Sequence, residues 1–251
     1  MEQTEKINPA AMETLQKMVE AGVHIGHKKA KGHPKMKPFL FGIRQGVQII
    51  NVEKTLEKLE EAAEFLKKTA AKGGVIIFVA TRVPGKLLIQ KAATDAGSLY
   101  VVERWIGGTL TNFPNLSKRL QYFLEQEEKK GKGELVKYSK KEQLLMSREI
   151  ETLEKKMGGI KTLKKKPDAL VVIDIDEHLS AVREATKMGV PVVAITDTNT
   201  NPTLVAYPIP ANDKSVKSLT MILDRLVSAV KEGKAEIRQP AEVTTEKQVQ
   251  A

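Results

Sequence analysis

Three aspartates follow apolar runs of the sequence, at positions where the strands of an open sheet would bring their carboxylates close together. Asp174 and Asp176 come directly after one run, and Asp197 follows the next run along the chain. The carboxyl ends of parallel strands meet at one edge of a sheet, so these oxygens could hold a divalent cation in a metal-dependent α/β enzyme. Asp is also a preferred N-cap, and a helix is predicted near residues 177–188. We favour capping and keep the metal enzyme as the alternative.

Other patterns of catalysis or nucleotide binding are incomplete in the sequence. His24 and His27 are three residues apart, but no third zinc ligand lies near them and the chain contains no cysteine. Gly85-Lys86 is followed by Leu87, where a phosphate-binding loop needs Ser or Thr. No G-x-G-x-x-G pattern follows a predicted strand. We therefore expect no metal ion and no cofactor, and we favour a protein that is not an enzyme over the metal-dependent alternative.

The formal net charge of +10 lies entirely in one part of the chain. Residues 21–124 contain 17 Lys and Arg against 7 Asp and Glu, whereas the remaining residues carry equal numbers of each sign. Such segregation creates a field of one sign over part of the surface, which attracts a polyanion and releases its counterions. The alternative is a basic surface that only keeps the protein soluble. We predict that nucleic acid is the partner.

Three segments supply the candidate contacts to RNA. The first is the segment 21–52, which contains no acid and which Pro34 and Pro38 predict to be an extended, stiff loop. The others follow two predicted strands, where Arg, hydroxyl and amide groups suit phosphate and ribose. For Trp105 the alternative is packing beneath the helical insertion described below. The candidates are Lys28, Lys29, Lys31, His33, Lys35, Lys37, Arg44, Arg82, Lys86, Arg104, Trp105, Thr109, Thr111 and Asn112.

The elements that must position these residues alternate between short apolar runs and helical stripes. Near-continuous apolar runs are typical of strands that are buried on both faces, and strands separated by helices indicate a parallel sheet with helices on both faces. The predicted strands are Val75–Ala80, Leu99–Val102, Ala169–Ile173, Val192–Ile195 and, more weakly, Val205–Ile209.

The region from Leu116 to Gly159 interrupts this alternation with dense charge and two helical stripes. Gly131-Lys-Gly133 makes a turn between the stripes, so we predict an inserted antiparallel helical hairpin, a coiled-coil arm exposed to solvent. The predicted organisation is a discontinuous α/β domain, a hairpin insertion and two flexible tails. The domain takes residues 10–112 and 160–232, the hairpin 113–159, and the tails 1–9 and 233–251.

The first residues, Met1–Ala11, are polar and lack the apolar stretch of a signal peptide. Apolar runs such as Val75–Ala80 are far too short to span a bilayer. We therefore expect a cytoplasmic protein.

Several motifs taken together resemble one known family. Any single motif is weak, but they occur in order over roughly residues 12–232 with compatible spacing. They are Glu20-Ala-Gly-Val-His-Ile-Gly-His27, Pro34-Lys-Met-Lys-Pro-Phe39, Ile49-Ile-Asn-Val-Glu-Lys54, Arg104-Trp-Ile-Gly-Gly-Thr-Leu-Thr-Asn112, Lys140-Lys-Glu142, Leu153-Glu-Lys-Lys-Met-Gly-Gly-Ile-Lys161, Pro167-Asp-Ala-Leu170 and Asp197-Thr-Asn199. The chain is similar to the bacterial form of the second protein of the small ribosomal subunit, the universal S-two family. It departs from that family at Ala30-Lys-Gly-His33, where an aromatic-rich stretch is expected.

The resemblance implies a flavodoxin-like α/β domain that carries a helical hairpin. It implies a structural role on small-subunit ribosomal RNA, near the junction of head and body and close to the messenger exit, in support of translation. It also implies neighbouring small-subunit proteins as partners, among them the large ribosomal protein S-one.

Overall fold

The computed structural model describes the backbone of residues 9–245 and the side chains of residues 12–237. In chain order, its helices and strands are α1 (Pro9–Glu20), β1 (Ile25–Lys28), β2 (Leu40–Arg44), β3 (Val47–Ile50), α2 (Val52–Ala71), β4 (Ile76–Val79), α3 (Gly85–Asp95), β5 (Leu99–Val101), α4 (Phe113–Gly131), α5 (Lys140–Met157), β6 (Ala169–Ile173), α6 (Leu179–Lys187), β7 (Val192–Thr196), β8 (Tyr207–Pro210) and α7 (Val216–Thr245). Short 3-10 helices occupy Lys29–Lys31, Pro34–Phe39, Glu134–Lys137, Gly158–Ile160 and Pro202–Leu204.

The larger sheet has five strands, all parallel, in the order β5-β4-β6-β7-β8. Numbered by their order along the chain, these strands follow the sequence 2-1-3-4-5 across the sheet, which is the flavodoxin-like order. All five predicted strands are present, and the predicted fold class is confirmed. The strand order reverses between β4 and β6, so ligands of such folds bind beyond the carboxyl ends of these two strands.

Alternate residues of the strands face two separate apolar layers, because successive side chains of a strand point to opposite faces. On β4, Ile76 and Phe78 pack with α1, α2, α3 and α7, whereas Ile77 and Val79 pack with α4, α5 and α6. Burial on both faces explains why the strands are near-continuous apolar runs. Helices cover both faces, as the sequence predicted.

The insertion folds into two antiparallel helices, α4 and α5. Tyr122 Oη donates to Glu149 Oε1 over 3.3 Å, which pairs the middle of one helix with the middle of the other. Ser139 begins α5 with a capping box, in which its side chain accepts from Glu142 N and its own N–H donates to the Glu142 carboxylate over 2.9 Å.

The base of this hairpin belongs to the core of the α/β domain. Leu120 and Phe123 of α4 and Leu153 of α5 are buried in the same cluster as Ile77 of β4. The prediction of an arm wholly exposed to solvent is therefore wrong for the base, because its apolar stripe packs on the sheet. The far end, residues 128–133, is exposed on all sides.

The structure describes only part of the two predicted tails. Residues 1–8 and 246–251 lie outside the described residues, and Pro9 already belongs to α1. Helix α7 continues to Thr245, so residues 233–245 of the predicted flexible tail 233–251 belong to a helix. A Cβ on Gly233 would lie 2.2 Å from the carbonyl oxygen of Lys67. This glycine lets α7 approach α2 closely and does not end the helix.

The acid-free segment is not the extended loop that its prolines predicted. It forms a second, antiparallel sheet of three strands in the order β1-β3-β2, which we call the basic sheet. Gln45 and Gly46 connect β2 to β3 with φ of 49° and 77°. Positive φ at both central residues is the type I′ geometry whose twist suits a hairpin. Asn-Gly or Asp-Gly is the usual signal for this turn, and Gln-Gly does not supply it.

Candidate nucleic-acid interface

The loop that follows β7 holds the basic sheet against the α/β domain. The backbone N–H of His27 donates to Thr198 Oγ1 over 2.8 Å, and that of His33 donates to the Thr198 carbonyl over 2.8 Å. Lys35 Nζ donates to Thr203 Oγ1 over 3.0 Å. A Cβ on Gly26 would lie 2.4 Å from Thr198 Cγ2, so β1 lies directly on this loop. The basic sheet is thereby fixed at the carboxyl edge of the parallel sheet.

Six cations of this segment are exposed, and none forms an ion pair with a carboxylate within the described residues. They are Lys28, Lys29, Lys31, Lys35, Lys37 and Arg44. His33 lies among them, half-buried, and its Nδ1 accepts from Lys35 N over 3.2 Å. Since no carboxylate neutralises these cations, their full charge is available to a polyanion.

Arg82 and Lys86, by contrast, are paired with acids of the same protein. Arg82 lies 2.5 Å from Glu177 Oε2 and 3.8 Å from Asp174 Oδ2. Lys86 forms an ion pair with Glu103. The charges of Arg82 and Lys86 are already compensated, so these two residues differ from the six unpaired cations of the segment 21–52.

The loop between β5 and α4 places its predicted contacts in two different environments. Arg104, Thr111 and Asn112 are exposed. Trp105 and Thr109, in contrast, are buried, with 7% and 1% of their surface accessible. The hydroxyl of Thr109 donates to the carbonyl of Ile106. Neither side chain can reach a partner on the surface. Trp105 lies in the apolar layer that contains the base of the helical insertion, which agrees with its alternative interpretation of packing beneath that insertion.

A carboxylate that the sequence analysis missed organises this loop. The side chain of Glu184, on α6, accepts from Trp105 Nε1 at 3.1 Å, from the backbone N–H groups of Gly108, Leu110 and Thr111 at 2.8, 3.0 and 3.2 Å, and from Thr111 Oγ1 at 3.3 Å. Burial raises the pKa of Glu184, but these donors outweigh burial and hold the pKa below its ordinary value. Nothing in the local sequence distinguishes Glu184 from other surface glutamates.

The carboxylate of Asp174, directly after β6, shapes a turn and does not cap a helix. Asp174 has a left-handed backbone with φ of 63°, and its Oδ1 accepts from the N–H groups of Asp176 and Glu177 at 3.1 and 3.3 Å. Helix α6 begins two residues later than Glu177, with His178 at the N-cap and no side-chain cap bond. The prediction is therefore wrong for the cap of α6 itself, because the Asp174 carboxylate instead fixes the loop before the helix, the other structural role expected of these aspartates.

Asp197 and Asp213 form a buried acidic pair nearby. Asp197 is 1% exposed, and its Oδ1 lies 3.1 Å from His27 Nδ1. Burial, together with the charge of Asp197, raises the pKa of Asp213 to about 6. Burial and the charge of Asp174 also raise the pKa of Asp176. Within the described residues, no group of three His, Cys, Asp or Glu side chains is arranged to hold a metal ion.

Comparison with known proteins identifies the family. The family model described as Ribosomal protein S2 matches residues 18–233. A relative from Roseiflexus castenholzii is 42% identical over 221 residues, which cover 88% of this chain and 84% of the relative. A relative from Dictyoglomus thermophilum is 41% identical over 220 residues, covering 88% and 89%. Both are named small ribosomal subunit protein uS2.

No helix among the described residues has both the length and the apolar character needed to cross a membrane. The family is one of structural ribosomal proteins and not of enzymes, which sets aside the metal-dependent enzyme built on Asp174, Asp176 and Asp197. By the extent of the family match and the identity to these relatives, the chain belongs to the ribosomal protein S2 family.

Proposed function

We propose that this protein is a structural constituent of the small ribosomal subunit that binds small-subunit ribosomal RNA through the basic sheet and its flanking 3-10 helices. The names of the relatives support the ribosomal role. The observation that carries the RNA contact is the set of six exposed cations without a carboxylate partner in the described chain.

The chemistry of these groups suits the phosphate backbone of RNA. Lysine and arginine displace condensed counterions when they contact phosphate, and this release supplies much of the affinity. Arg104 and Asn112 extend the proposed contact with donors for phosphate and ribose, and the Thr111 hydroxyl, which donates to Glu184, offers an acceptor to a ribose 2′-hydroxyl. RNA is recognised largely through shape, phosphate and ribose, so cations on a sheet and 3-10 helices that are anchored to the α/β domain through Thr198 fit this task.

The proposal also covers location and partners. The family resemblance supports a site near the junction of head and body, contacts with neighbouring small-subunit proteins and with the large ribosomal protein S-one, and a cytoplasmic, ribosome-bound protein. Sedimentation of a lysate tests the ribosomal role directly. The chain is expected to travel with small subunits, and its recovery only in the soluble fraction would contradict the proposal.

The RNA contact is tested by replacing Lys28, Lys29, Lys35 and Lys37 together with Gln. Each phosphate neutralised contributes a slope of about −0.7 to −0.9 to the dependence of log K on log salt. The variant is therefore expected to bind protein-free small-subunit ribosomal RNA more weakly, with a slope flatter by about 3. An unchanged slope would show that these lysines do not face RNA.

A matched control removes the same charge elsewhere. Lys72, Lys91, Lys164 and Lys166 are also exposed, and they lie on α3 or precede β4 and β6. Replacing these four with Gln changes the net charge equally but leaves the basic sheet intact. The control is expected to keep most of the wild-type slope, and an equal loss in both variants would indicate an effect of net charge alone.

A further inference from the structure

Phe41 is the most exposed aromatic side chain among the described residues, with 81% of its surface accessible. It lies on β2, an edge strand of the basic sheet. The pairing of β2 with β3 is irregular at this point, because Leu40 pairs with Ile50 and Gly42 pairs with Ile49. Phe41 is thus an extra residue with no opposite partner, a bulge, and bulges re-aim side chains away from a regular sheet face.

The charges around this ring indicate what covers it. Between Gly22 and Val52 the sequence contains no carboxylate, so the charged side chains that the basic sheet itself places beside the ring are cations. Arg44 lies three residues along the same strand, and Lys28 pairs with Val47 on the far side of β3. Given the rise per residue and the spacing between strands, the Cα atoms of Arg44 and Lys28 lie within roughly 10–15 Å of the Cα of Phe41. An exposed aromatic face among unpaired cations complements a nucleobase between phosphates.

We propose that Phe41 stacks on an unpaired nucleobase of small-subunit ribosomal RNA, while Arg44 and Lys28 contact phosphates of the same strand. This inference rests on the proposed function and adds to it the class of RNA that is recognised. Bases within a duplex are already stacked on each other, so the ring requires a loop, a bulge or a splayed base. Phenylalanine has no hydrogen-bonding group, so the contact accepts any base.

The test compares four variants by their Kd for protein-free small-subunit ribosomal RNA at one salt concentration. Stacking on a base is worth about 5- to 150-fold in affinity by alanine substitution, so Phe41→Ala is expected to weaken binding within this range. Phe41→Leu keeps an apolar side chain without a π face and is expected to weaken binding similarly. Phe41→Trp restores a stacking surface and is expected to bind within about 3-fold of wild type.

Ile43→Ala is the matched control. Ile43 is 51% exposed on the same strand but has no ring, so its removal is expected to leave the affinity unchanged. Thermal unfolding of Phe41→Ala should match wild type, because the exposed ring makes little contact with the rest of the protein.

Two results would overturn the inference. Wild-type affinity of Phe41→Ala would show that the ring does not contact RNA. Wild-type affinity of Phe41→Leu would show that the ring serves only as an apolar group. The same variants are also measured with small subunits stripped of this protein, and a loss confined to that target would show that the ring contacts a neighbouring protein.

Failure of this inference is distinguishable from failure of the proposed function. Stacking releases no counterions, so Phe41→Ala is expected to keep the wild-type salt slope, whereas the lysine variant flattens the slope. A flattened slope in the lysine variant together with unchanged binding of Phe41→Ala would remove the stacking contact and leave the basic interface standing.

Discussion

Glu184 should control the loop between β5 and α4, and Glu184→Gln tests this at nearly constant shape. The carboxylate accepts from three backbone N–H groups, from the indole of Trp105 and from the hydroxyl of Thr111. In glutamine, an NH₂ group replaces one of the two carboxylate oxygens. Each of those oxygens accepts at least two hydrogen bonds, so at least two N–H or O–H groups lose their acceptor. Each such lost hydrogen bond to a charged group is worth about 1.5–3 kcal/mol where it is buried.

The site is half-buried, so water compensates part of this loss. We therefore expect Glu184→Gln to lower the free energy of unfolding by about 2–3 kcal/mol and Glu184→Ala by about 3–5 kcal/mol. For a domain of this size, 2–3 kcal/mol corresponds to a fall in Tm of about 4–12 °C. Urea unfolding and a thermal scan measure both quantities.

Fluorescence gives an independent readout of the loop itself. Trp105 is the only tryptophan of the chain and donates directly to Glu184. Its emission is expected to shift to longer wavelength in Glu184→Ala before global unfolding, because the loop opens to water. Unfolding within about 0.5 kcal/mol of wild type, as for an ordinary surface substitution, with unchanged emission would refute the role given to this carboxylate.

The pH dependence provides a further check with a defined sign. The pKa of Glu184 is lowered in the folded protein, so its ionised form contributes stability at neutral pH. This contribution to stability is complete above about pH 4.3, the ordinary pKa of Glu in the unfolded chain. It is lost as the pH falls from there through the lower pKa of Glu184 in the folded protein. The stability difference between wild type and Glu184→Gln should therefore be constant above about pH 5.5 and shrink below pH 4.3.

Two other predictions follow from the buried acids and from the insertion. The pKa of Asp213 is raised to about 6 in the folded protein, so ionisation costs stability as pH rises from about 4 to 6. Asp213→Asn is expected to be more stable than wild type by about 1–3 kcal/mol at pH 7.5, with the gain absent at pH 4, and equal gains at both pH values in urea unfolding would contradict the assignment. Replacing Lys129–Lys141 by a short glycine linker is expected to preserve one cooperative thermal transition, because Phe123 and Leu153 of the hairpin base stay in the core. Loss of cooperativity in a thermal scan would show that the tip is also required.

The parallel sheet could be predicted from the sequence because its strands are buried on both faces. Val75–Ala80 and Ala169–Ile173 are apolar without interruption, and such runs, separated by helical stripes, are typical of strands between two helical layers. The helical hairpin was equally visible, since its stripes repeat at helical spacing on either side of a glycine turn. These features are local, so the residues that specify them lie within one segment.

The basic sheet could not be predicted in this way. Its strands have only four or five residues, and the bulge at Phe41 breaks the alternation that would identify β2. Its position depends on Thr198, which lies 171 residues from its partner His27. The sequence predicted the sign of the charge in this segment, but the tertiary structure determined that the charge is divided between the basic sheet and the two 3-10 helices that connect β1 to β2.

Whether a candidate side chain is free or paired with another group of the protein also depends on residues that are distant in sequence. Lys28 and Arg82 look alike in the sequence, yet only Arg82 meets a carboxylate, that of Glu177. The sequence predicted an RNA contact for Trp105, but in the structure its indole N–H donates to Glu184, which lies 79 residues away in the sequence. Charge and periodicity are properties of a segment and can be read from it. The burial of a side chain and its ion pairs depend on which segments contact each other. The order of the strands in the sheet determines those contacts, and it is a property of the tertiary structure.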